Sequence, residues 1–272
     1  MRVSEGDDKK EVSNRRQHDL AEGCDTTVVT EAAPFIYHGG GDVLRDAADQ
    51  VFNQRPARYD LLSYPSLKHL TKEQRWIDIL AHDVATAIGL HGVEKLLVAA
   101  HTVPPRNVIL RLKENPAVPA RLRVKGFTLQ RPRVMPDPKV MALTCMDWRL
   151  HGAAGFGSQF ANAFEASGYS VMATAGAAKE LAHESPRSEM LFSQFELVAG
   201  KVGTLVLVSH TDCGKYGGAR AFASPEAELR TLTDDLEAAR SRILAAFPKL
   251  KVRIGIARTK GTRCNGVDPV GA

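Results

Sequence analysis

Three polar residues alternate at the end of an apolar run: Cys145, Asp147 and Arg149 in "LTCMDWRL" (Leu143–Leu150). Residues two apart on a strand point to one side, so a thiol, a carboxylate and a guanidinium would face one crevice if the strand continues through them. A second set follows in "SHTDCGKYGG" (Ser209–Gly218), where His210 ends another apolar run and Cys213 comes three residues later. In open α/β sheets, ligands collect outside the carboxyl ends of the strands. Two thiolates and an imidazole at adjacent strand ends make a Cys2His set, which favours tetrahedral zinc and leaves a fourth position open. Asp147 beside such an ion can be a fourth ligand or accept a proton, and Arg149 can hold its carboxylate in a bidentate pair. The plainer alternative is a buried thiol pair, a capping histidine and an ion pair that steadies a strand end.

Positioning these residues requires buried strands and the helices between them. Val140–Cys145, Ser170–Thr174, Thr204–His210 and Val252–Ala257 are short apolar runs of the kind that fills a parallel sheet covered on both faces. Between them, Pro186–Gly200 carries Met190, Leu191, Phe195, Leu197 and Val198 at helical spacing. Ser224–Phe247 opens with a capping Ser and a Pro, and presents Leu229, Leu232, Leu236, Ile243 and Leu244 as a stripe. The alternation predicts an α/β fold.

The chain also repeats itself. Val51–Leu70 reads like Ala163–Leu181, Gly89–Thr102 like Val198–Thr211, and Pro119–Arg133 like Phe247–Gly261, in the same order and at similar spacing. Two tandem units are predicted, 24–133 and 138–262, parted at the proline-rich "RPRVMPDPK" and preceded by a polar, disordered tail over 1–23. In the first unit Glu31 stands where Cys145 stands, Ala33 for Asp147, Phe35 for Arg149 and Pro104 for Cys213, while His101 matches His210. That unit is expected to be a degenerate copy that lacks the metal site and walls the cleft of the second.

"CMDWR" followed by "HTDCG" resembles the Cys-x-Asp-x-Arg … His-x-x-Cys signature of the β-class carbonic anhydrases. The resemblance implies a parallel sheet with flanking helices, a pseudo-dimer made by the two tandem units, zinc held by Cys145, His210 and Cys213, and Asp147 and Arg149 as the catalytic dyad. It implies reversible hydration of carbon dioxide to bicarbonate through a zinc-bound hydroxide, favoured by alkaline conditions because two thiolates weaken the acidification of bound water. The signature covers the second unit; the first is similar only in pattern. The family's Arg-Asn-Ala-Gly-Asn loop is replaced by "ATAGAAKEL" (Ala173–Leu181), in which Ala175 and Gly176 match the centre and the Arg and both Asn are missing. Backbone near Gly176 and Gly214 is then expected to bind bicarbonate. The altered loop keeps two alternatives in play: hydrolysis of carbonyl sulfide or carbon disulfide, and a non-catalytic zinc-binding or assembly protein.

Composition narrows the partners. In 272 residues, 44% are hydrophobic and the net charge is +5, with no basic face interleaved with aromatics, which argues against nucleic acid. No apolar run is long enough for a membrane span or a signal peptide, so a cytoplasmic protein is expected, one that can pair further as a homo-oligomer. Four cysteines in such a chain do not make a disulfide scaffold, and Cys24 and Cys264 have no evident partner. His151 is a candidate proton carrier, and Lys179 and Lys215 are candidate anion attractors. "YHGGGD" (Tyr37–Asp42) resembles the oxyanion glycines of esterases, but without a Gly-x-Ser-x-Gly elbow it reads as a flexible loop.

Overall fold

The structure, a computed structural model, describes residues 24–31, 40–53, 56, 58–129, 139–151, 156–166 and 168–271. The expected tail over 1–23, the linker at 131–138, Tyr37–Gly39, Ala33 and Phe35 lie outside the described residues. Gly40–Asp42 belong to the helix Gly40–Phe52 and not to a loop.

The architecture is α/β, with a mostly parallel sheet flanked by helices. Among the described residues nine strands run β1 (Thr26–Glu31), β2 (Tyr59–Tyr64), β3 (Lys95–Ala100), β4 (Arg123–Thr128), β5 (Val140–Cys145), β6 (Ser170–Thr174), β7 (Thr204–His210), β8 (Lys251–Lys260) and β9 (Arg263–Pro269). They lie side by side in the order β4-β3-β1-β2-β6-β5-β7-β8-β9. Within β1–β4 and within β5–β8 every pairing is parallel, and each half has its second strand beside its first, then its third and fourth. The three pairs of similar segments in the sequence fall on corresponding strands. The halves meet where β2 and β6 pair antiparallel at Ser63 and Ala173. β9, beyond the expected end of the second unit at 262, closes an antiparallel hairpin onto β8 and buries Cys264.

The strands are buried on both faces, with apolar and β-branched residues at their centres: all six residues of β1, β2 and β3 and the last five of β5 are buried. The helix Gln74–His91 packs Trp76, Ile77, Leu80, Ala81, Val84 and Ala87 inward at helical spacing, and Gly92 ends it with a positive φ of 70°. The helix Pro186–Glu196 starts at a reciprocal Ser185–Ser188 capping box and stops four residues short of Gly200, which leaves Leu197 exposed. In the helix Pro225–Ala246, Leu232, Leu236, Ala239 and Ile243 are buried; Leu229 and Leu244, expected in the same stripe, are exposed. Among the described residues no helix is long and apolar enough to cross a membrane.

A buried polar network spans the seam between the halves. Asp83, fully buried in the helix Gln74–His91, accepts from the Tyr64 hydroxyl at 3.1 Å, from Thr174 Oγ1 at 2.8 Å and from the Arg187 guanidinium. Arg187 Nε reaches Glu180 at 3.3 Å, and Glu180 reaches Lys215 Nζ at 3.3 Å. A dry ion pair holds only when its remaining polar atoms are also satisfied, and here hydroxyls from both halves do that.

Candidate metal centre

Cys145 is the last residue of β5 and His210 the last of its neighbour β7, so parallel pairing carries both to one sheet edge. The chain turns sharply after His210, with Asp212 at φ 57°, and the turn returns Cys213 to the same point. The Cys213 carbonyl accepts from the Tyr216 and Gly218 amides at 2.9 and 3.0 Å, which fixes the loop. The two sulfurs lie 3.9 Å apart as free thiols, and the ligand atoms of all three residues lie within 4.8 Å of one another. Two sulfurs sharing a tetrahedral zinc at about 2.3 Å would be about 3.8 Å apart. His210 Nδ1 is 2.9 Å from the Thr211 carbonyl, which fixes the tautomer that leaves Nε2 bare. Nε2 is buried with no hydrogen-bond partner among the described residues. An orphaned imidazole nitrogen facing two sulfurs is what a missing cation would satisfy, so the residues fit a metal ion.

Electrostatics favour the same reading. The Cys145 thiol donates toward Cys213 and, with burial, is pushed well up, while Cys213 is pulled down by that contact and by backbone amides of Lys215 and Tyr216. Burial works against a charged His210, but the Cys145 sulfur and Asp147 outweigh it and raise its pKa.

Asp147 and Arg149 meet at the site by a different route from the one the alternation suggests. β5 stops at Cys145, and Asp147 instead caps a 3-10 turn, Trp148–Leu150, accepting from the Arg149 amide at 2.9 Å. The turn folds the Arg149 side chain back onto its own cap. Nε donates to Oδ1 at 3.0 Å and Nη2 to Oδ2 at 2.7 Å. Arg149 also reaches Asp212 Oδ2 at 3.1 Å and its carbonyl at 3.0 Å, tying the dyad to the loop that carries Cys213. Burial would raise the Asp147 carboxyl, but His210 and Arg149 outweigh it and hold it well below the usual carboxylate range. Its Oδ2 lies 3.8 Å from His210 Nε2, beside the three donors and turned to the arginine.

A cleft of about 250 Å3, including the part open to solvent, lies over these groups. Its second-half lining includes Gly176, Gly214 and Lys215. Gly176 has a φ of 82°, and a Cβ there would lie 2.7 Å from Lys215 Cγ; a Cβ on Gly214 would lie 2.6 Å from Leu90 Cδ1. The lysines are occupied: Lys179 donates to the Lys215 carbonyl at 2.9 Å and lies over the Tyr216 ring, and Lys215 pairs with Glu180. His151 is buried at 2.8 Å from the Cys145 carbonyl, and burial brings its pKa down to about 4, so it braces the strand end as a neutral ring.

The rest of the lining comes from the first half. Thr86, Leu90 and His91, on the last turns of the helix Gln74–His91, form one wall. His91 Nδ1 is held at 2.7 Å by Asp60 Oδ2, and Asp60 Oδ1 accepts from the Trp148 amide at 3.1 Å. Sequence reasoning missed both residues, although a carboxylate inside the otherwise uncharged strand "YDLLSY" was a visible signal.

The first half's own strand end carries no comparable donor set among the described residues. The Glu31 carboxylate accepts from the amides of Leu67, His101 and Thr102 at 3.2, 2.9 and 2.9 Å, and lies 2.8 Å from His101 Nδ1. It closes with hydrogen bonds the space between strand ends, and Pro104, in the Cys213 position, is the cap before the helix Pro105–Glu114. No protein-family model matches the chain, and no curated protein matches it.

Proposed function

We propose that the chain is a zinc enzyme of the β-carbonic-anhydrase type that hydrates carbon dioxide reversibly to bicarbonate. The observation that carries the reading is the convergence of Cys145, Cys213 and the bare Nε2 of His210 beside a carboxylate that Arg149 holds in two hydrogen bonds. On this reading the units 24–133 and 138–262 are a tandem duplication whose halves stand in for the two subunits of a dimer. The repeated strand order and the antiparallel seam support it. The protein works in the cytoplasm on a small molecule, without nucleic acid or membrane.

Cys145, His210 and Cys213 would hold the ion. When bound, zinc supplies Lewis acidity, which lowers the pKa of water to about 7 in favourable sites. Asp147 stays ionised at any working pH, and Arg149 aims its Oδ2 toward the cleft, where it accepts a hydrogen bond from the attacking water and orients it. Gly176 and Gly214 keep side chains out of the cleft, so a linear triatomic substrate reaches the donors. Leu90 covers it from the first half and limits the entry of bulk water. The loss of the family's Arg and Asn residues from "ATAGAAKEL" favours, as a second reading, hydrolysis of carbonyl sulfide or carbon disulfide.

Stopped-flow hydration by zinc-loaded protein at about pH 8–9 tests the reading, because zinc held by two thiolates would supply its Lewis acidity best under alkaline conditions. Hydration well above buffer supports it. A stoichiometric zinc protein that hydrates no faster than buffer overturns it, and sulfide release from carbonyl sulfide then identifies the second reading. Silence in both assays would leave a non-catalytic zinc-binding protein.

A further inference from the structure

Outside the Cys145–His210–Cys213 centre, another set of donors converges. Cys24 precedes β1, Asp60 is the second residue of β2, and His91 ends the helix that leads into β3. All three therefore lie at the amino-terminal edge of the first half's strands. The antiparallel seam lays that edge against the carboxyl-terminal edge of the second half, where Leu61 N donates to the Met146 carbonyl at 2.9 Å. One thiol sulfur, one carboxylate oxygen and one imidazole nitrogen lie within 4.8 Å of one another. Cys24 is 3% exposed, Asp60 is fully buried, and the His91 side chain is 18% exposed on the cleft side.

We propose that Cys24, Asp60 and His91 form a second binding site for a divalent transition metal of zinc's class, set in the cleft wall beside the first. A thiolate, a carboxylate and an imidazole are a borderline-soft donor set that suits such ions. The geometry needs little change. Asp60 Oδ1 stays anchored by the Trp148 amide, while Oδ2, now 2.7 Å from His91 Nδ1, turns to the ion. In the metal-free protein a proton on His91 Nδ1 and the thiol proton of Cys24 stand in for the cation. Burial and the neighbouring Asp60 push the Cys24 thiol up, and burial also raises Asp60. Negative charge there is costly without a cation, and a dication offsets it for both groups at once. Binding forms bonds from Sγ, Oδ2 and Nδ1 to the ion. The thiol proton leaves to solvent, and the Nδ1 proton moves to Nε2 of a neutral ring or, from an imidazolium, leaves as well. The Glu31–His101 cluster has no such capacity: it lacks a thiol, and three backbone amides already occupy its carboxylate.

The test is a cobalt(II) titration of reduced, metal-stripped full-length protein, read by the sulfur-to-cobalt charge-transfer band and by native mass spectrometry. It needs no activity, so its outcome is separate from that of the hydration reading. We expect about two equivalents in the unaltered protein and about one in Cys24→Ser, with release of one to two protons per second equivalent. His91→Gln, at a helix end where the change is easily accommodated, is expected to lose the same equivalent and guards against a misfolded Cys24 variant. The double variant Cys145→Ser/Cys213→Ser is expected to keep the equivalent that Cys24→Ser loses. A single equivalent in the unaltered protein, abolished with Cys145 and Cys213 and untouched by Cys24→Ser, would overturn the proposal and leave the cluster as a hydrogen-bonded brace. So would a second equivalent that survives both Cys24→Ser and His91→Gln.

Discussion

Removing the Arg149 side chain tests whether the dyad governs the centre. In Arg149→Ala the backbone hydrogen bond from the residue 149 amide to Asp147 Oδ1 remains, but the contacts at 3.0 and 2.7 Å from Nε and Nη2 are lost. Charged hydrogen bonds contribute about 1.5–3 kcal/mol each, so roughly 3–6 kcal/mol of restraint on the carboxylate disappears, of which solvent entering the vacated space returns a part. About 3 kcal/mol is enough to shift a two-position equilibrium by roughly 100-fold. Asp147 Oδ2, already 3.8 Å from His210 Nε2, then turns to the donor cluster as a fourth ligand. The expected result is protein that retains stoichiometric zinc, hydrates carbon dioxide about 100-fold more slowly, and shows an altered cobalt(II) absorption spectrum. Arg149→Lys, with the charge but no fork, is expected to fall between. Because Arg149 also holds Asp212, beside Cys213, zinc content must be measured on the same samples. A folded, zinc-loaded Arg149→Ala protein that works within about threefold of the unaltered one would refute the reasoning, since the restraint would then be irrelevant to the rate.

Three further outcomes follow from the geometry. Cys213→Ser is expected to hold about one equivalent of zinc less than the unaltered protein, measured by atomic absorption, and a variant with the full content would contradict the ligand set. In metal-free protein, burial holds the folded His151 pKa at about 4 against an ordinary 6.5, so between these values the unfolded chain binds a proton that the folded chain does not. Its contribution to stability is complete above about pH 6.5 and declines as pH falls to about 4, by roughly 3 kcal/mol in all, and His151→Gln should remove that component of the slope in urea titrations across this range; an identical slope would rule it out. Arg187→Met leaves Asp83 charged and buried with only hydroxyl donors, and should cost about 3–5 kcal/mol in chemical denaturation; a loss under about 1 kcal/mol would show that the seam network contributes little.

The convergence of Cys145, His210 and Cys213 was legible because its geometry is local: each thiol or imidazole closes or follows an apolar strand, and parallel strands put those ends side by side. The dyad was legible as a pair but not in its conformation, since nothing in "CMDWR" marks that the strand stops at Cys145 and that Asp147 caps a turn. Leu229 and Leu244 fit the helical period yet lie at the margin of the buried face, where Ala239 takes the central place. Residues beyond the periodic runs were harder: β9, "RCNGVDP", has a Gly, a Pro and two charges, and it becomes a strand only because β8 offers it an edge. The cleft wall was not legible at all. Thr86, Leu90 and His91 approach Cys145 and Cys213 through a pairing between strands more than a hundred residues apart, of which single-chain periodicity carries no trace.

The seam also sets an order of events in synthesis. The wall, residues 60–91, leaves the ribosome before any of the three donors, and N-terminal units generally fold first. The cleft therefore closes only when Cys145, His210 and Cys213 dock against a surface already built. A second half folding by itself would bring its thiols together in the open, exposed to oxidation and to stray metals. In this chain the first half offers a template in cis, already present at the seam when the two sulfurs converge, a condition that in an assembly of separate subunits waits on a collision.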